Sequence, residues 1–325
     1  MSTVDIPTFD DVVAAYGRLL GRVLRTPVLN FARFDSRVGR RVLLKCENLQ
    51  HGGAFKLRGA TNKLLQLESA SRIVATHSSG NHGAALARAA RERGWRCIVV
   101  APRDASAVKL QAILAESAEL VACDPGLVAR EATLVEVISR TGAAVVHPFD
   151  DAQVIAGQGT AALELLSEHP DIQVLATPVG GGGLLSGTAI AGKAMIPSCR
   201  VIGVEPEMAD DAARSFHGGL RVGVQGSPAT IADGLRGSIG ARPYLIFRSL
   251  VDDVLTVSES AIVNAMRIAL EDLRLLIEPS SAVPLAALIE GRIGRSGETI
   301  GVIISGGNVD LSACPFLAGR APLSA

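Results

Sequence analysis

Three short segments carry groups suited to chemistry on a small anionic molecule. The first is Gly52-Gly53-Ala54-Phe55-Lys56-Leu57-Arg58-Gly59-Ala60. A lysine at the start of a helix stands at the positive end of the helix dipole, which disfavours its charge. A neutral amine is the form that condenses with a carbonyl, so Lys56 is a candidate for Schiff-base chemistry. Taken alone, it reads rather as a solvated surface lysine. The second is the run Gly180-Gly181-Gly182-Gly183 between an apolar strand and a helix beginning near Leu184. Four successive glycines are costly in backbone entropy. At a strand–helix junction they let N–H groups crowd a phosphate, with the helix N-terminus adding positive dipole. They do not make the dinucleotide fingerprint, because no acidic residue stands at the right distance after a strand. The third is Ser78-Ser79-Gly80-Asn81-His82-Gly83, two hydroxyls, an amide and backbone donors at another helix start. It suits a carboxylate, although such a turn in isolation is an ordinary helix cap.

These segments must be held by the elements around them. Short β-branched runs alternate with helical periods. Strands are expected at residues 41–45, 72–75, 97–101, 119–123, 143–146, 174–178, 201–205 and 299–305. Helices are expected from near Phe55 to Gln66, through about Arg93, and at 107–115, 127–139, 159–168, 258–273 and 281–290, with Ser258 as an N-cap. Such alternation implies parallel sheets covered by helices, and open α/β sheets bind ligands at the carboxyl ends of their strands. The flanking halves read as parts of one sheet. The expected organisation is therefore a large domain, residues 1–72 and 150–325, with a small inserted domain at 73–149.

Composition narrows the function. The 325 residues carry 32 basic and 32 acidic side chains, so no phosphate-neutralising nucleic-acid surface is expected. Hydrophobic residues make up 48% and aromatics 3%, which implies an aliphatic core. Five scattered cysteines, Cys46, Cys97, Cys123, Cys199 and Cys314, fit free thiols in a reducing cytoplasm. The acidic, polar start shows no secretory signal, and no apolar run is long enough for a membrane span.

The segment around Lys56, the Ser78–Gly83 turn, Gly157-Gln158-Gly159-Thr160, the tetraglycine and Ser305-Gly306-Gly307-Asn308-Val309-Asp310 occur in one order. Together they resemble the serine racemase and serine/threonine dehydratase family, fold type II enzymes of pyridoxal 5′-phosphate (PLP), from about Thr26 to Leu311. The resemblance implies the tryptophan synthase β-like α/β fold: a large open twisted sheet with an inserted, mobile parallel domain that closes on substrate. It implies that Lys56 binds PLP covalently and serves as acid and base, with Phe55 beside the ring. Asn81 would hydrogen-bond the ring hydroxyl, Gly180 to Gly183 would hold the phosphate, and Ser305 would face the pyridine nitrogen. A serine there makes a weaker electron sink than a carboxylate, so β-elimination competes well with transamination. Ser78, Ser79, Asn81 and His82 would receive the substrate carboxylate. Ser79 would face Cα opposite Lys56, as a racemase requires.

The resemblance also implies a divalent cation, Mg²⁺, Mn²⁺ or Ca²⁺, held by Glu205, Asp211 and the Ala209 carbonyl; oxygen ligands suit these ions. A homodimer is expected. Ala84 and Phe149 replace amides that contact nucleotide in animal racemases, which speaks against ATP regulation, and Gly237 replaces a serine near their substrate. Too few residues follow Asp310 for a regulatory domain. Arg130 is a candidate for a second substrate carboxylate, against the plainer reading of a solvated helix arginine. The expected reaction is dehydration of L-serine, L-threonine or a related β-hydroxy amino acid to a 2-oxo acid and ammonia. Serine racemisation and threo-3-hydroxyaspartate elimination are the alternatives.

Overall fold

Two sheets organise the computed structural model, which describes residues 4–224, 226 and 228–317. The outermost residues of the expected large domain, 1–3 and 318–325, lie outside the described residues. The strands are β1 (Val28–Leu29), β2 (Arg41–Cys46), β3 (Ile73–Thr76), β4 (Arg96–Pro102), β5 (Glu119–Cys123), β6 (Ala144–Val145), β7 (Val174–Pro178), β8 (Arg200–Pro206), β9 (Asp253–Val257) and β10 (Thr299–Ile304). The larger sheet runs β1-β2-β10-β7-β8-β9 and the smaller β5-β4-β3-β6. Only β1 is antiparallel, to β2. The smaller sheet draws all its strands from between Ile73 and Val145, inside the segment expected as an insertion.

The helices are α1 (Phe9–Leu19), α2 (Ala32–Val38), α3 (Lys56–Gln66), α4 (Asn81–Glu92), α5 (Ala107–Ala115), α6 (Leu127–Thr141), α7 (Ala152–Glu168), α8 (Gly183–Met195), α9 (Asp211–Gly218), α10 (Ala241–Leu250), α11 (Glu259–Glu271) and α12 (Pro279–Ile289). On one side of the larger sheet, α2, α11 and α12 pack a core with Val42, Val174, Val204 and Ile304; on the other, Leu165, Leu185 and Phe247 from α7, α8 and α10 meet Leu43, Leu175 and Val201. Central strands buried on both faces need continuous apolar runs, and β7, β10 and all but the first residue of β2 are buried.

One expected boundary moves. Helix α7 begins at Ala152, seven residues before Gly159. Gly157 and Gly159 lie inside it because helices cross there at backbone contact. A Cβ on Gly157 would fall 2.7 Å from Gly59 Cα, and one on Gly159 would fall 2.8 Å from the Gly187 carbonyl. The Gly157–Thr160 motif is thus a packing surface that seats α3 and α8 on α7, and Gln158 Oε1 accepts from the Gly59 N–H at 3.1 Å.

The base of α3 is further tied by a fully buried ionic cluster. Arg58 donates to Glu47 on one side and Glu164 on the other, each pair at 2.8 Å, and Lys45 reaches Glu164 at 2.6 Å. Burial alone would push Glu47 up, but the Arg58 charge and its hydrogen bonds hold the carboxyl below its ordinary value. Two cations and two anions leave the cluster neutral, and each charge has a partner, which burial demands.

Candidate active site

The three segments come together at the carboxyl ends of the parallel strands. Lys56 opens α3 after β2 and is half-buried. Its Nζ donates to the Pro148 carbonyl at 2.7 Å. Burial pulls the amine from 10.5 down to about 8, against the opposing charge of Glu278. The depression expected at a helix start is present, with desolvation as its main cause.

The glycine run follows β7. Gly182 has φ +90°, a left-handed conformation that L side chains rarely adopt, and α8 starts at Gly183. A Cβ on Gly181 would fall 2.2 Å from the Phe149 ring, and one on Gly180 would fall 3.0 Å from Leu235 Cα. The N–H groups of Gly183, Leu184 and Leu185 open the helix, since Ser186 makes the first bond back to Gly182. The Gly181 carbonyl accepts from the Gly240 N–H at 3.1 Å, fixing the loop from outside. Close backbone, a glycine-only turn and a helix start fit a phosphate.

Residues 147–150 join this cradle to the lysine. Pro148 holds the Lys56 amine, and Phe149 packs its ring on Gly181 and its Cα and Cβ against Gly183. His147 Nδ1 accepts from the Phe149 and Asp150 N–H groups, so this nitrogen is unprotonated; burial lowers the imidazole to about 4. Asp150 caps α10 by accepting from the N–H groups of Ala241 and Arg242. Two of the three departures noted in the sequence, Phe149 and Gly237, are neighbours: a Cβ on Gly237 would lie 4.0 Å from the ring.

The Ser78–Gly83 turn follows β3, and α4 begins within it at Asn81. A Cβ on Gly83 would fall 2.1 Å from the Ser78 carbonyl, so the turn depends on that glycine. Ser78 and Ser79 are half-buried. The His82 imidazole points away from the turn to the Val146 carbonyl at 3.1 Å, so its backbone N–H, not its ring, belongs to the opening of α4. The Asn81 amide donates to both oxygens of Glu278, at 2.9 and 3.0 Å, and its oxygen accepts from Asn308. Asn308 also donates to the Gly52 carbonyl at 2.8 Å, which ties the turn to the lysine segment. Arg130 Nε donates to the Gly126 carbonyl at the start of its own helix at 3.3 Å, and its charge adds to the burial that lowers His77, the residue before the turn.

Ser305 follows β10 and is buried. Its carbonyl accepts from the Phe55 N–H at 2.9 Å, which sets Phe55 and Lys56 beside it. Its hydroxyl lies 2.9 Å from Ser281 Oγ. Glu278, the N-cap of α12, and Ser281, in its first turn, are site residues that sequence reasoning missed. The signal was Pro279, whose fixed φ marks a helix start and aims that turn at the strand ends.

The Glu205, Ala209 and Asp211 group stands apart, from the end of β8 to the start of α9. Glu205 and Asp211 are buried, and each caps backbone: Glu205 accepts from the N–H groups of Ala212 and Ala213, and Asp211 from that of Ile239. Burial and mutual repulsion raise Glu205 to about 9, and burial raises Asp211 to about 6. Arg214, paired with Asp210 at 2.8 Å, also acts on both carboxylates. Among the described residues, no group of three or more His, Cys, Asp or Glu side chains is placed to hold a metal ion; two buried carboxylates and a backbone carbonyl are the oxygen donors that a divalent ion would use.

A lysine amine, a glycine phosphate cradle and a hydroxyl at a strand end fit PLP. The model of the pyridoxal-phosphate dependent enzymes matches residues 19–306. The chain is 41% identical over 313 residues to the beta-hydroxyaspartate dehydratase of Paracoccus denitrificans, covering 96% of this chain and 99% of that one. It is 43% identical to a serine racemase of Dictyostelium discoideum, covering 96% and 97%. The structure of maize serine racemase superposes with a TM-score of 0.92 at 41% identity over 95% of both chains. With the site assembled at the strand ends and the match spanning nearly its whole length, this chain belongs to the pyridoxal-phosphate dependent enzyme family.

Proposed function

We propose that the chain is a PLP-dependent ammonia-lyase that dehydrates a β-hydroxy amino acid to a 2-oxo acid and ammonia. The observation that carries this reading is the Lys56 amine, lowered to about 8 and held beside the glycine cradle by residues 148 and 149. Bound at Lys56, PLP would act as the electron sink for charge at the substrate Cα; the protein supplies orientation and proton transfer. The open N–H groups of Asn81, His82 and Gly83, with the Ser78 and Ser79 hydroxyls, orient the substrate carboxylate. The Lys56 amine takes the Cα proton, and its near-neutral pKa suits both removal and return. Asn81 holds the cofactor hydroxyl, Gly180 to Gly183 its phosphate, and Ser305 its ring nitrogen, with Phe55 at its flank.

Within β-hydroxy amino acids, 3-hydroxyaspartate is the favoured substrate. The Paracoccus denitrificans relative is a beta-hydroxyaspartate dehydratase, and Arg130, whose charge acts on His77 before the carboxylate turn, is the candidate partner for a second carboxylate. Racemisation is the second reading. Ser79 at the substrate turn and the serine racemase relatives support it, since a base on each face of Cα is what racemisation needs.

Glu205, Asp211 and the Ala209 carbonyl hold a divalent cation. Residues 73–149 close as a small domain over the substrate and exclude water. The enzyme works in the cytoplasm as a homodimer on small-molecule substrates, without nucleic-acid or membrane partners. Among the described residues, no helix is long and apolar enough to cross a membrane.

A panel of serine, threonine and 3-hydroxyaspartate stereoisomers, assayed for 2-oxo acid, tests the reading with Lys56→Ala as control. Product from 3-hydroxyaspartate with the native enzyme alone is expected. Full activity in the Lys56→Ala protein would end it. Recovery of substrate deuterated at Cα from D₂O, lost in Ser79→Ala while elimination persists, would establish racemisation as a second activity.

A further inference from the structure

The Ser281 hydroxyl has three neighbours within hydrogen-bond distance. The Gly306 carbonyl and the Gly306 N–H each lie at 2.6 Å, and Ser305 Oγ lies at 2.9 Å. A hydroxyl has one proton to give and two lone pairs to receive with. The carbonyl can only accept and the N–H can only donate. Once Ser281 gives its proton to the Gly306 carbonyl, its bond with Ser305 has one arrangement left, in which Ser305 donates. Among the described residues, Ser281 is the only hydrogen-bond partner of the Ser305 hydroxyl. Both side chains are buried, at 0% and 2% exposure, so water does not replace either partner.

We infer that Ser281 is a positioning residue for the cofactor's ring nitrogen: by accepting the Ser305 proton it turns the Ser305 lone pairs toward the ring. This rests on the reading that Ser305 faces that nitrogen. The chain Ser305 to Ser281 to the Gly306 carbonyl then lets Ser305 accept from a protonated nitrogen. The reverse arrangement is open too. If Ser281 instead donates to Ser305, the Gly306 carbonyl keeps the Glu278 N–H at 3.1 Å, and Ser305 donates to an unprotonated nitrogen. With alanine at 281, Ser305 has no acceptor behind it, and its proton must go to the ring. Ser281 therefore raises the proton affinity of the ring nitrogen above what a lone serine allows. A more protonated ring withdraws electrons more strongly from Cα.

The charged and titratable groups coupled to this corner are Glu278 from α12, Lys56 from α3, Lys109 from α5 and His82 from α4. Ser281→Ala leaves all four in place. It also leaves the Gly306 N–H without its partner, so lower stability is expected whatever Ser281 does for the cofactor. The test must read the nitrogen itself.

Native protein and Ser281→Ala are loaded with PLP labelled with ¹⁵N in the ring, and the bound nitrogen's chemical shift is followed against pH. The expected result is a midpoint lower in Ser281→Ala by about half to one pH unit, the size of one neutral hydrogen bond. Ser281→Thr, which restores the hydroxyl, should return the midpoint toward the native value. Coincident titrations of native protein and Ser281→Ala would overturn the inference while leaving the cofactor reading intact. Absence of any bound ¹⁵N signal in the native protein would overturn the cofactor reading itself. Should Ser281→Ala fail to retain PLP, Ser281→Cys takes its place. Its thiol is a weak acceptor, so a downward shift is again expected, and an unshifted midpoint again overturns the inference.

Discussion

Replacing Gly181 by alanine tests how the phosphate cradle is built. Its φ lies outside the left-handed region, so the backbone tolerates a side chain and the consequence is steric. The added Cβ would fall 2.2 Å from Cγ and Cδ1 of Phe149 and 2.4 Å from Cδ2. Ordinary carbon contact is about 3.5–4.0 Å, so ring or loop must retreat by roughly 1.3 Å or more. Neither has room. The ring packs edge-on against His147 at 4.7 Å between centroids, and its own Cα and Cβ would lie 3.1 Å from a Cβ on Gly183. Overpacking of this kind costs about 1–3 kcal/mol, which corresponds to PLP binding weaker by about 5- to 150-fold. Titration of the cofactor-free protein with PLP, followed by absorbance, measures it. The Gly181→Ala/Phe149→Ala double variant should recover most of the loss, because the clash is between these two groups, and the cycle isolates their coupling. Binding by Gly181→Ala within two-fold of native, or no recovery in the double variant, would refute the packing argument.

Other outcomes follow from the same geometry. With its pKa at about 8, about a quarter of Lys56 amine is neutral at pH 7.5, against about a thousandth at the ordinary 10.5. The rate of PLP attachment should therefore rise with pH and level off above about 8; a rate still climbing tenfold per unit at pH 10 would contradict it. Glu164→Gln removes one anion from the cluster around Arg58 and leaves excess buried positive charge, so stability should fall by about 3–5 kcal/mol in denaturant unfolding; a loss below about 1 kcal/mol would show that the cluster is not balanced as described. Glu205 is raised from 4.5 to about 9, so in that window the native state holds more protons than the unfolded one. Cation-free protein should lose stability as pH rises from about 5 to 9, by linkage. Added Mg²⁺ should raise the melting temperature more at the alkaline end, and an equal effect across the range would speak against a cation at Glu205 and Asp211.

Much of this site was legible from residue types in order. Lys56, the tetraglycine and the Ser78–Gly83 turn follow β2, β7 and β3, where parallel sheets gather ligands, and local signals mark all three. The boundaries of α5, β5 and β7 were read off directly from apolar runs and flanking turn residues. What escaped has a common cause. Glu278 and Ser281 take their meaning from partners more than 20 residues distant, Asn81 and Ser305, and nothing local distinguishes them from an ordinary helix start. The early start of α7 escaped because Gly157 and Gly159 weaken the local helical pattern, and what calls for glycine there is the crossing of α3 and α8. The elements α1, α2, α9, α10, β1 and β9 were not anticipated. Two of them, β1 and α2, are only two and seven residues long, too short for a period to declare itself. For His82, residue order marked the carboxylate turn without separating ring from backbone; the helical twist of α4 sends the ring to Val146 and leaves the N–H at the turn.

The central claim is that the Lys56 amine, and no other, carries the cofactor. Borohydride reduction of the PLP-loaded protein makes that linkage permanent, and mass spectrometry of the digest then locates it. A pyridoxyl mass on the peptide containing Lys56, absent from Lys56→Ala, is the predicted result. The same mass on a different lysine, with residue 56 unmodified, would contradict the account.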